Sequence, residues 1–248
     1  MPYYQDWIVH SMTALTVPGV RLGVRPFGTC TFEFSQCKNP VNAHIMARPG
    51  TSGGICDALS AHWIKHHSGG GSMWSWLYPN DQLDLHRLDR VLALQAAGVA
   101  DDAVQDRVTE AFLARCRVVP RQTNHIAIAR QFGPRRVVRG LSVPTRVEGQ
   151  SYVYNAFGLA RAIAQETTLG EGCYKRISIS GRGGAHSMAA WVAQDVMFFD
   201  PNYGEFWFET RARFISWFCT AFWYMSPYAA GLSGDYELRS YARLLPGR

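Results

Sequence analysis

A thiol, an imidazole and a carboxylate, the three groups that together perform nucleophilic acyl transfer, occur in this chain at Cys56, His186 and Asp200. A cysteine attacks as the thiolate, a histidine can take its proton, and a carboxylate can hold the imidazole in one orientation. We therefore predict that Cys56 is the nucleophile, His186 the general base and acid, and Asp200 the orienting group. Such a triad needs neither a metal nor a cofactor, and we expect none.

Cys56 stands where a helix is predicted to begin. Two glycines interrupt the chain just before it, and apolar residues then recur at helical spacing at Ile55, Leu59 and Trp63. The free N–H groups of a helix N-terminus stabilise a thiolate, and the backbone N–H of Cys56 could also face a developing oxyanion. A small buried cysteine at a helix start is the alternative, and this segment alone does not decide between them.

His186 and Asp200 fall in two predicted strands, residues 185–193 and 196–200. If the hairpin turns near Ala193, the two side chains share one face of adjacent strands, with the carboxylate beside the imidazole. Taken singly, His186 could be a core histidine and Asp200 could simply open a turn. Taken together with a helix-start cysteine far upstream, they give the order of papain-like enzymes.

The flanking patterns predict an α+β fold, with an N-terminal helical part that carries the nucleophile helix and a C-terminal antiparallel β-sheet. Helical spacing marks residues 56–67, 81–97, 101–115, 154–167 and 211–224. Strand patterns mark residues 174–180, 185–193, 196–200 and 205–209, with a final edge strand at 235–245. Residues 1–50 show no helical period, so we predict an irregular or edge segment, with a possible export or processing role, before a catalytic domain at 51–248.

Composition limits the classes of protein further. The chain has 248 residues, 47% of them hydrophobic, and can bury a substantial core. Its six cysteines lack metal-ligand or disulfide-framework spacing, so we expect them to be mostly reduced. The net charge of +6 could attract an anionic membrane surface or form only a solvated basic face, and its densest cluster is Arg130, Arg135, Arg136, Arg139 and Arg146. We expect a monomer that binds no nucleic acid.

Three sequence blocks carry a resemblance to a known family. They are GICDALSAHW at residues 54–63, AHSM at 185–188 and DPNYGEF at 200–206. In sequence, order and spacing these blocks resemble the YopT/AvrPphB family of bacterial type III effector proteases, and the resemblance covers about residues 50–210.

The resemblance implies a papain-like fold, with the helical part packed on the antiparallel sheet. It also implies a cysteine endopeptidase that a bacterium secretes into a host cell, where it cleaves specific host proteins in the cytoplasm or at the inner face of the plasma membrane. Known targets in the family include prenylated Rho GTPases and plant protein kinases, and the sequence does not choose between them. Some relatives process themselves and expose a glycine for lipidation. Gly28 could be such a glycine, but it matches a lipidation signal poorly, because Phe32 stands where the signal has Ser or Thr.

One stretch departs from the papain-like pattern. Such enzymes usually place a Gln or Asn a few residues before the nucleophile as a second oxyanion donor, whereas Thr51 and Ser52 occupy that stretch here. A hydroxyl could donate instead, or Asn42 could fold back. Loss of such a donor costs about two to three orders of magnitude in rate.

Several signals leave alternatives open. Trp74 and Trp76, near a run of glycines, could line a substrate groove on a mobile flap or pack in the core. His62 and His66 have i, i+4 spacing but no acidic residue between them, so we expect surface histidines rather than a metal site. The same triad could serve a deamidase, a transglutaminase or an acyltransferase, or remain as a relic in a non-catalytic binding module.

Overall fold

The computed structural model describes residues 3–99, 101–120, 145–150, 156–165, 172–232 and 235–244, with residues 3–11 and 145–150 as backbone only. The α-helices are α1 (Tyr3–Gly23), α2 (Val41–Met46), α3 (Cys56–Ser68), α4 (Met73–Leu77), α5 (Leu85–Ala97), α6 (Asp102–Arg115), α7 (Ala156–Ala164), α8 (Arg211–Trp217), α9 (Trp223–Met225) and α10 (Tyr228–Gly231). The strands are β1 (Thr29–Phe32), β2 (Val118–Pro120), β3 (Thr145–Gln150), β4 (Cys173–Gly181), β5 (Gly184–Val192), β6 (Val196–Asp200), β7 (Gly204–Phe208) and β8 (Asp235–Arg243). The predicted α+β order of helices followed by an antiparallel sheet is confirmed.

The strands form one antiparallel sheet. Neighbouring strands run β1-β7-β6-β5-β4-β8-β2, and β3 also pairs with β8. The prediction that the last strand lies at an edge is wrong, because β8 pairs with β4 on one side and with β2 and β3 on the other. Its partners β2 and β3 lie far upstream, and no local pattern in the sequence indicates such a pairing.

Helices cover both faces of this sheet. Consecutive residues of β6 show the two layers: Phe199 contacts Trp63 of α3, whereas Phe198 contacts Phe214 and Trp217 of α8. All five side chains are fully buried. Because side chains alternate along a strand, a sheet with apolar residues on both faces needs a helical layer on each. The layer that contains α3 brings Cys56 to the sheet.

The N-terminal residues are more regular than predicted. Tyr3–Gly23 is helical, which corrects the prediction of an irregular segment, while β1 does form a sheet edge. Pro18 and the many β-branched residues of α1 give it low helix propensity, so tertiary packing stabilises it. Val17 and Val20 are buried in the core, and a Cβ added at Gly19 would lie 2.7 Å from a methyl carbon of α9. The domain division at residue 50 stays a prediction.

A buried carboxylate ties helix α3 to the sheet. Glu205 of β7 accepts hydrogen bonds from the indole N–H of Trp63 at 2.6 Å and of Trp74 at 3.0 Å, and from the hydroxyl of Thr31 at 2.7 Å. Trp74 also stacks on Phe32, with ring centroids 4.2 Å apart. Trp74 is therefore a core residue, and its predicted place in a substrate groove is wrong.

Much of the predicted basic cluster lies outside the described residues. Arg130, Arg135, Arg136 and Arg139 are not described, and Arg146 lies in β3, whose side chains are not described. Contact with a membrane surface therefore stays a prediction. No helix in the described part of the chain is long and apolar enough to cross a membrane.

Candidate active site

Helix α3 begins at Cys56, as the glycine pair and the apolar spacing predict. Gly54 has a φ of +110°, a conformation that disfavours residues with a Cβ, and it turns the chain into the helix. The N-cap residue Ile55 offers no side-chain cap. Within the described residues the backbone N–H of Cys56 has no hydrogen-bond acceptor, so it can serve an oxygen placed beside the thiol.

Strands β5 and β6 form the predicted hairpin with a small change in register. Val192 pairs with Val196 and Ala189 with Phe199, so the turn is centred midway between 192 and 196, one residue beyond Ala193. His186 and Asp200 are thus diagonal neighbours on one face rather than directly opposite. Nε2 of His186 lies 3.2 Å from Oδ1 and 3.3 Å from Oδ2 of Asp200. The expected pairing of imidazole and carboxylate is therefore present.

The structure brings all three predicted residues together. Cys56 and His186 line the same surface cleft of about 850 Å³ and the same small cavity of about 40 Å³. His186 is 4% exposed and Asp200 is fully buried. Burial opposes a charged imidazole, but the Asp200 carboxylate, together with hydrogen bonds to Asp200 and Cys56, raises the pKa of His186 to about 10. A histidine that stays protonated at neutral pH can stabilise a neighbouring thiolate.

A chain of hydrogen bonds runs from Asp200 to Ile55, the residue before Cys56. The Tyr228 hydroxyl donates to Oδ1 and Oδ2 of Asp200 at 3.2 and 3.1 Å, and the backbone N–H of Asn202 donates to Oδ1 at 2.7 Å. The Asn202 side chain donates to the Tyr228 hydroxyl oxygen at 2.8 Å and accepts from Gln36 Nε2 at 2.9 Å. Gln36 Oε1 accepts the backbone N–H of Ile55 at 3.0 Å. These bonds fix Asp200 relative to the residue that precedes Cys56.

The sequence did not indicate the contacts that Gln36, Asn202 and Tyr228 make. Asn202 lies in the block at residues 200–206 that resembles the effector proteases, but nothing there marked its side chain. Gln36 is 19 residues from Ile55, and Tyr228 is 28 residues from Asp200. Neither helical nor strand spacing relates positions so far apart, so only the tertiary fold reveals these contacts.

The hydroxyl groups predicted as oxyanion donors are engaged elsewhere. Thr51 is 2% exposed, and its hydroxyl donates to the carbonyl of Ile45 at 2.9 Å. Ser52 lines the cleft, but its hydroxyl donates to the carbonyl of Pro49 at 3.1 Å. A hydroxyl has one proton to donate. The structure therefore does not support either residue as the donor, and Asn42 is not among the described residues that line the cleft or the cavity.

Trp76 packs on the nucleophile helix and does not line the described cleft. Its ring stacks on His62 and His66, with centroids 5.0 and 4.6 Å away. The predicted groove role of Trp76 is therefore wrong for the described cleft. His62 is buried rather than at the surface, and burial lowers its pKa to about 3. No group of three or more His, Cys, Asp or Glu in the described part of the chain could hold a metal ion.

The residue after Cys56 anchors the first turn of α3. Asp57 is 4% exposed, and its Oδ1 accepts from Nε of Arg176 at 2.6 Å. Its Oδ2 accepts from Thr109 at 2.6 Å and from Gln105 at 2.8 Å. Burial favours the neutral acid, but Arg176 and these hydrogen bonds hold the pKa of Asp57 below its usual value. Asp57 thereby joins α3 to β4 and α6.

Replacing Asp57 with asparagine is expected to lower the free energy of unfolding by about 3 kcal/mol, because Arg176 would stay buried without its nearest carboxylate. In the wild type this contribution is present above about pH 4 and is lost as the pH falls further, since the folded pKa is depressed. Urea unfolding at several pH values measures both effects. Asp89→Asn breaks an exposed pair with Arg48 and should cost less than about 1 kcal/mol. Equal losses in the two variants would contradict the anchoring role.

The chain resembles known proteins over most of its length. Residues 26–242 match the model of the peptidase family C58, described as Yersinia/Haemophilus virulence surface antigen. The chain is 32% identical over 227 residues to the cysteine protease YopT of Yersinia pestis, a match that covers 89% of this chain and 66% of that protein. It is 29% identical over 229 residues to the protein adenylyltransferase and cysteine protease IbpA of Histophilus somni, covering 88% of this chain and 5% of that protein.

A solved structure shows the same fold. The crystal structure of the Pseudomonas avirulence protein AvrPphB superposes with a TM-score of 0.51 at 16% identity, over 79% of this chain and 95% of that one. At this identity the likeness concerns the fold alone. It agrees with the predicted papain-like arrangement of a helical part on an antiparallel sheet.

Proposed function

Because the chain belongs to the Yersinia/Haemophilus virulence surface antigen family of peptidases, we propose that it is a cysteine endopeptidase with Cys56, His186 and Asp200 as its triad. The observation that carries this proposal is the position of His186. Its Nε2 bonds Asp200, which leaves Nδ1 for the thiol of Cys56 in the shared cleft. The name of the relative from Yersinia pestis, a cysteine protease, supports the same activity, although this chain spans only 66% of that protein.

The reaction follows from the positions of the three groups. His186 takes the proton of Cys56, and the thiolate attacks the carbonyl carbon of a peptide bond held in the cleft. The carbonyl oxygen becomes an oxyanion beside the N–H of Cys56. His186 then gives its proton to the leaving amine, which departs and leaves a thioester. A water molecule, deprotonated by His186, attacks the thioester and frees Cys56.

The finer parts of the function are inferred from the family. We infer that a bacterium secretes this protein into a host cell, and that it cleaves specific host proteins as a monomer, without nucleic acid. Its place of action would be the host cytoplasm or the inner face of the plasma membrane, where peripheral membrane contact would bring it to prenylated substrates. Rho GTPases and protein kinases are the substrate classes that the resemblance suggests. The virulence description of the family supports this setting.

Self-processing at Gly28 has little support in the folded chain. Thr29 pairs with Trp207 of β7, and a Cβ added at Gly28 would lie 2.3 Å from the carbonyl oxygen of Trp207. A protease needs an extended, accessible segment around the scissile bond. Cleavage there would require β1 to leave the sheet first.

The proposal is tested by comparing new protein N-termini in host-cell lysate treated with the wild type or with Cys56→Ala. New termini are expected with the wild type and not with Cys56→Ala, because the variant has no nucleophile. Cys219→Ala, which removes a thiol from the π-helical turn after α8, should leave the cleavage pattern unchanged. A Cys56-dependent change in the mass of a host protein without chain cleavage would overturn the protease assignment in favour of a deamidase or a transferase. Identical lysates with all three proteins would indicate a binding module.

A further inference from the structure

The loop between β1 and α2 places a side-chain amide next to the nucleophile. We propose that Gln36 is the second oxyanion donor, acting beside the backbone N–H of Cys56. This inference rests on the proposed role of Cys56 as nucleophile. Gln36 is 3% exposed, and it lines the 40 Å³ cavity together with Cys56 and His186. Gln36 thus takes the role for which the sequence offered Thr51, Ser52 or Asn42.

The hydrogen bonds at both ends of the chain determine which side of the Gln36 amide carries the nitrogen and which carries the oxygen. The Asp200 carboxylate can only accept, so the Tyr228 hydroxyl must donate to it. The oxygen of Tyr228 then accepts from the Asn202 amide nitrogen, which turns the Asn202 carbonyl oxygen toward Gln36. At the other end the backbone N–H of Ile55 can only donate, so it needs the Gln36 carbonyl oxygen. A flipped amide would break both bonds, so Nε2 is held facing Asn202 and Oε1 is held facing Ile55.

One proton of the Gln36 amide is left to donate. Nε2 carries two protons, and Asn202 accepts one of them at 2.9 Å. No described residue accepts the other. A buried amide proton without an acceptor is costly unless an oxygen can reach it. The adjoining cavity of about 40 Å³ is large enough for one oxygen atom of a substrate or a water molecule.

The chemistry of the step requires such a donor. When the sulfur of Cys56 bonds to the carbonyl carbon, the π electron pair of the C=O bond moves to the oxygen, which becomes an anion. Two preorganised N–H donors, from Cys56 and Gln36, would stabilise that charge more than they stabilise the neutral carbonyl. When the C–N bond breaks, its electron pair leaves on the amine, which takes a proton from His186, and an electron pair of the oxygen re-forms the C=O bond.

The first test separates oxyanion stabilisation from thiol reactivity. Gln36→Met keeps the approximate volume but removes the donor, and Gln36→Glu also keeps an acceptor for the N–H of Ile55. Both variants are expected to lower kcat for peptide cleavage about 10²- to 10³-fold with KM little changed. Alkylation of Cys56 by iodoacetamide is a displacement that forms no oxyanion, and its rate should stay within a few-fold of wild type. A parallel fall in both rates would overturn the proposal and show that Gln36 only supports the nucleophile turn.

A matched control measures the effect of losing one contact with the nucleophile helix. Gln95 accepts the backbone N–H of Ala58 at 3.2 Å, so Gln95→Met removes a glutamine-to-backbone bond of the same kind in the first turn of α3. Gln95 lines the larger cleft but not the small cavity, so this comparison uses kcat and not KM. Its replacement should lower kcat much less than replacement of Gln36 does. Equal losses would count against an oxyanion role.

A second readout does not depend on proteolysis. A short peptide aldehyde adds reversibly to Cys56, and its oxygen then occupies the oxyanion position. Protection of Cys56 from iodoacetamide gives the dissociation constant, which should rise at least about tenfold in Gln36→Met and Gln36→Glu. If the wild type binds the aldehyde but cleaves no protein, the proposed function fails while the assignment of Gln36 stands. If the aldehyde binds wild type and both variants equally, the assignment of Gln36 fails whatever the reaction.

Discussion

Replacing His186 with alanine is expected to lower kcat by about 10⁶-fold, as loss of the histidine does in other enzymes where a histidine activates a nucleophilic side chain. Without the imidazole, nothing takes the proton of Cys56, nothing protonates the leaving amine, and the thiolate loses its cation. Cleavage of the substrate identified by new N-termini gives the loss in kcat. His86→Ala, which removes an exposed histidine on α5, is the matched control and should retain activity.

The His186→Ala variant is also expected to lower the reactivity of the Cys56 thiol and to leave the other five cysteines unchanged. In the wild type, iodoacetamide near pH 6 should alkylate Cys56 first. Burial raises the pKa of Cys37 to about 12, and burial also raises the pKa of Cys30 and Cys219, so these thiols react slowly. Mass spectrometry of the alkylated peptides gives the six rates. If Cys56 keeps its advantage in His186→Ala, the proposed thiolate–imidazolium pair is wrong.

Replacing Asp200 with asparagine is expected to lower kcat about 10⁴-fold, although some papain-like enzymes use an asparagine in this role. The carboxylate of Asp200 accepts from His186, from Tyr228 and from the backbone of Asn202, and it donates to none of them. An asparagine would aim an N–H₂ group at one of these donors. Either the imidazole takes the wrong tautomer or a buried donor loses its acceptor.

The pH dependence of Asp200→Asn follows from the pKa of His186. In the wild type, Asp200 contributes to a pKa of about 10 in the folded state, against about 6.5 for a free histidine. The His186–Asp200 pair therefore contributes to the free energy of unfolding. This contribution is fully present below about pH 6.5 and is lost as the pH rises through about 10. In Asp200→Asn the alkaline limb of kcat/KM and this alkaline loss of stability should both move to lower pH. Asp195→Asn changes a carboxylate in the turn of the same hairpin and should not shift the alkaline limb of kcat/KM.

Local patterns predicted the elements that carry the triad. The glycine pair before Cys56 marked a helix start, because the break in the chain and the new 3.6-residue spacing coincide there. The two β-rich runs around Ala193 predicted the hairpin. His186 and Asp200 still lie on the same face of it, although the turn is shifted by one residue. A shift of one residue in the turn moves the pairing by two, so each side chain keeps its face.

What the sequence did not reveal depends on contacts between distant residues. Helix α1 has weak propensity and is stabilised by packing, so its sequence looks irregular. The sequence left open whether Trp74 lines a groove or packs in the core, because nothing nearby in the sequence shows that Glu205 accepts its indole N–H. Gln36 lay outside the stretch where an oxyanion donor is usual, and the loop that carries it reaches Asn202 only in the folded chain.

The hydrogen-bond chain that passes through Tyr228 also bears on when the protein becomes active. Loop-closure entropy must be overcome before contacts between positions so far apart are stable, and a chain is synthesised from its N-terminus. A nascent chain that ends before Tyr228 would carry Cys56 and even His186 but would lack the hydroxyl that holds Asp200. We therefore expect each molecule to remain inactive during translation until most of its sequence has emerged from the ribosome.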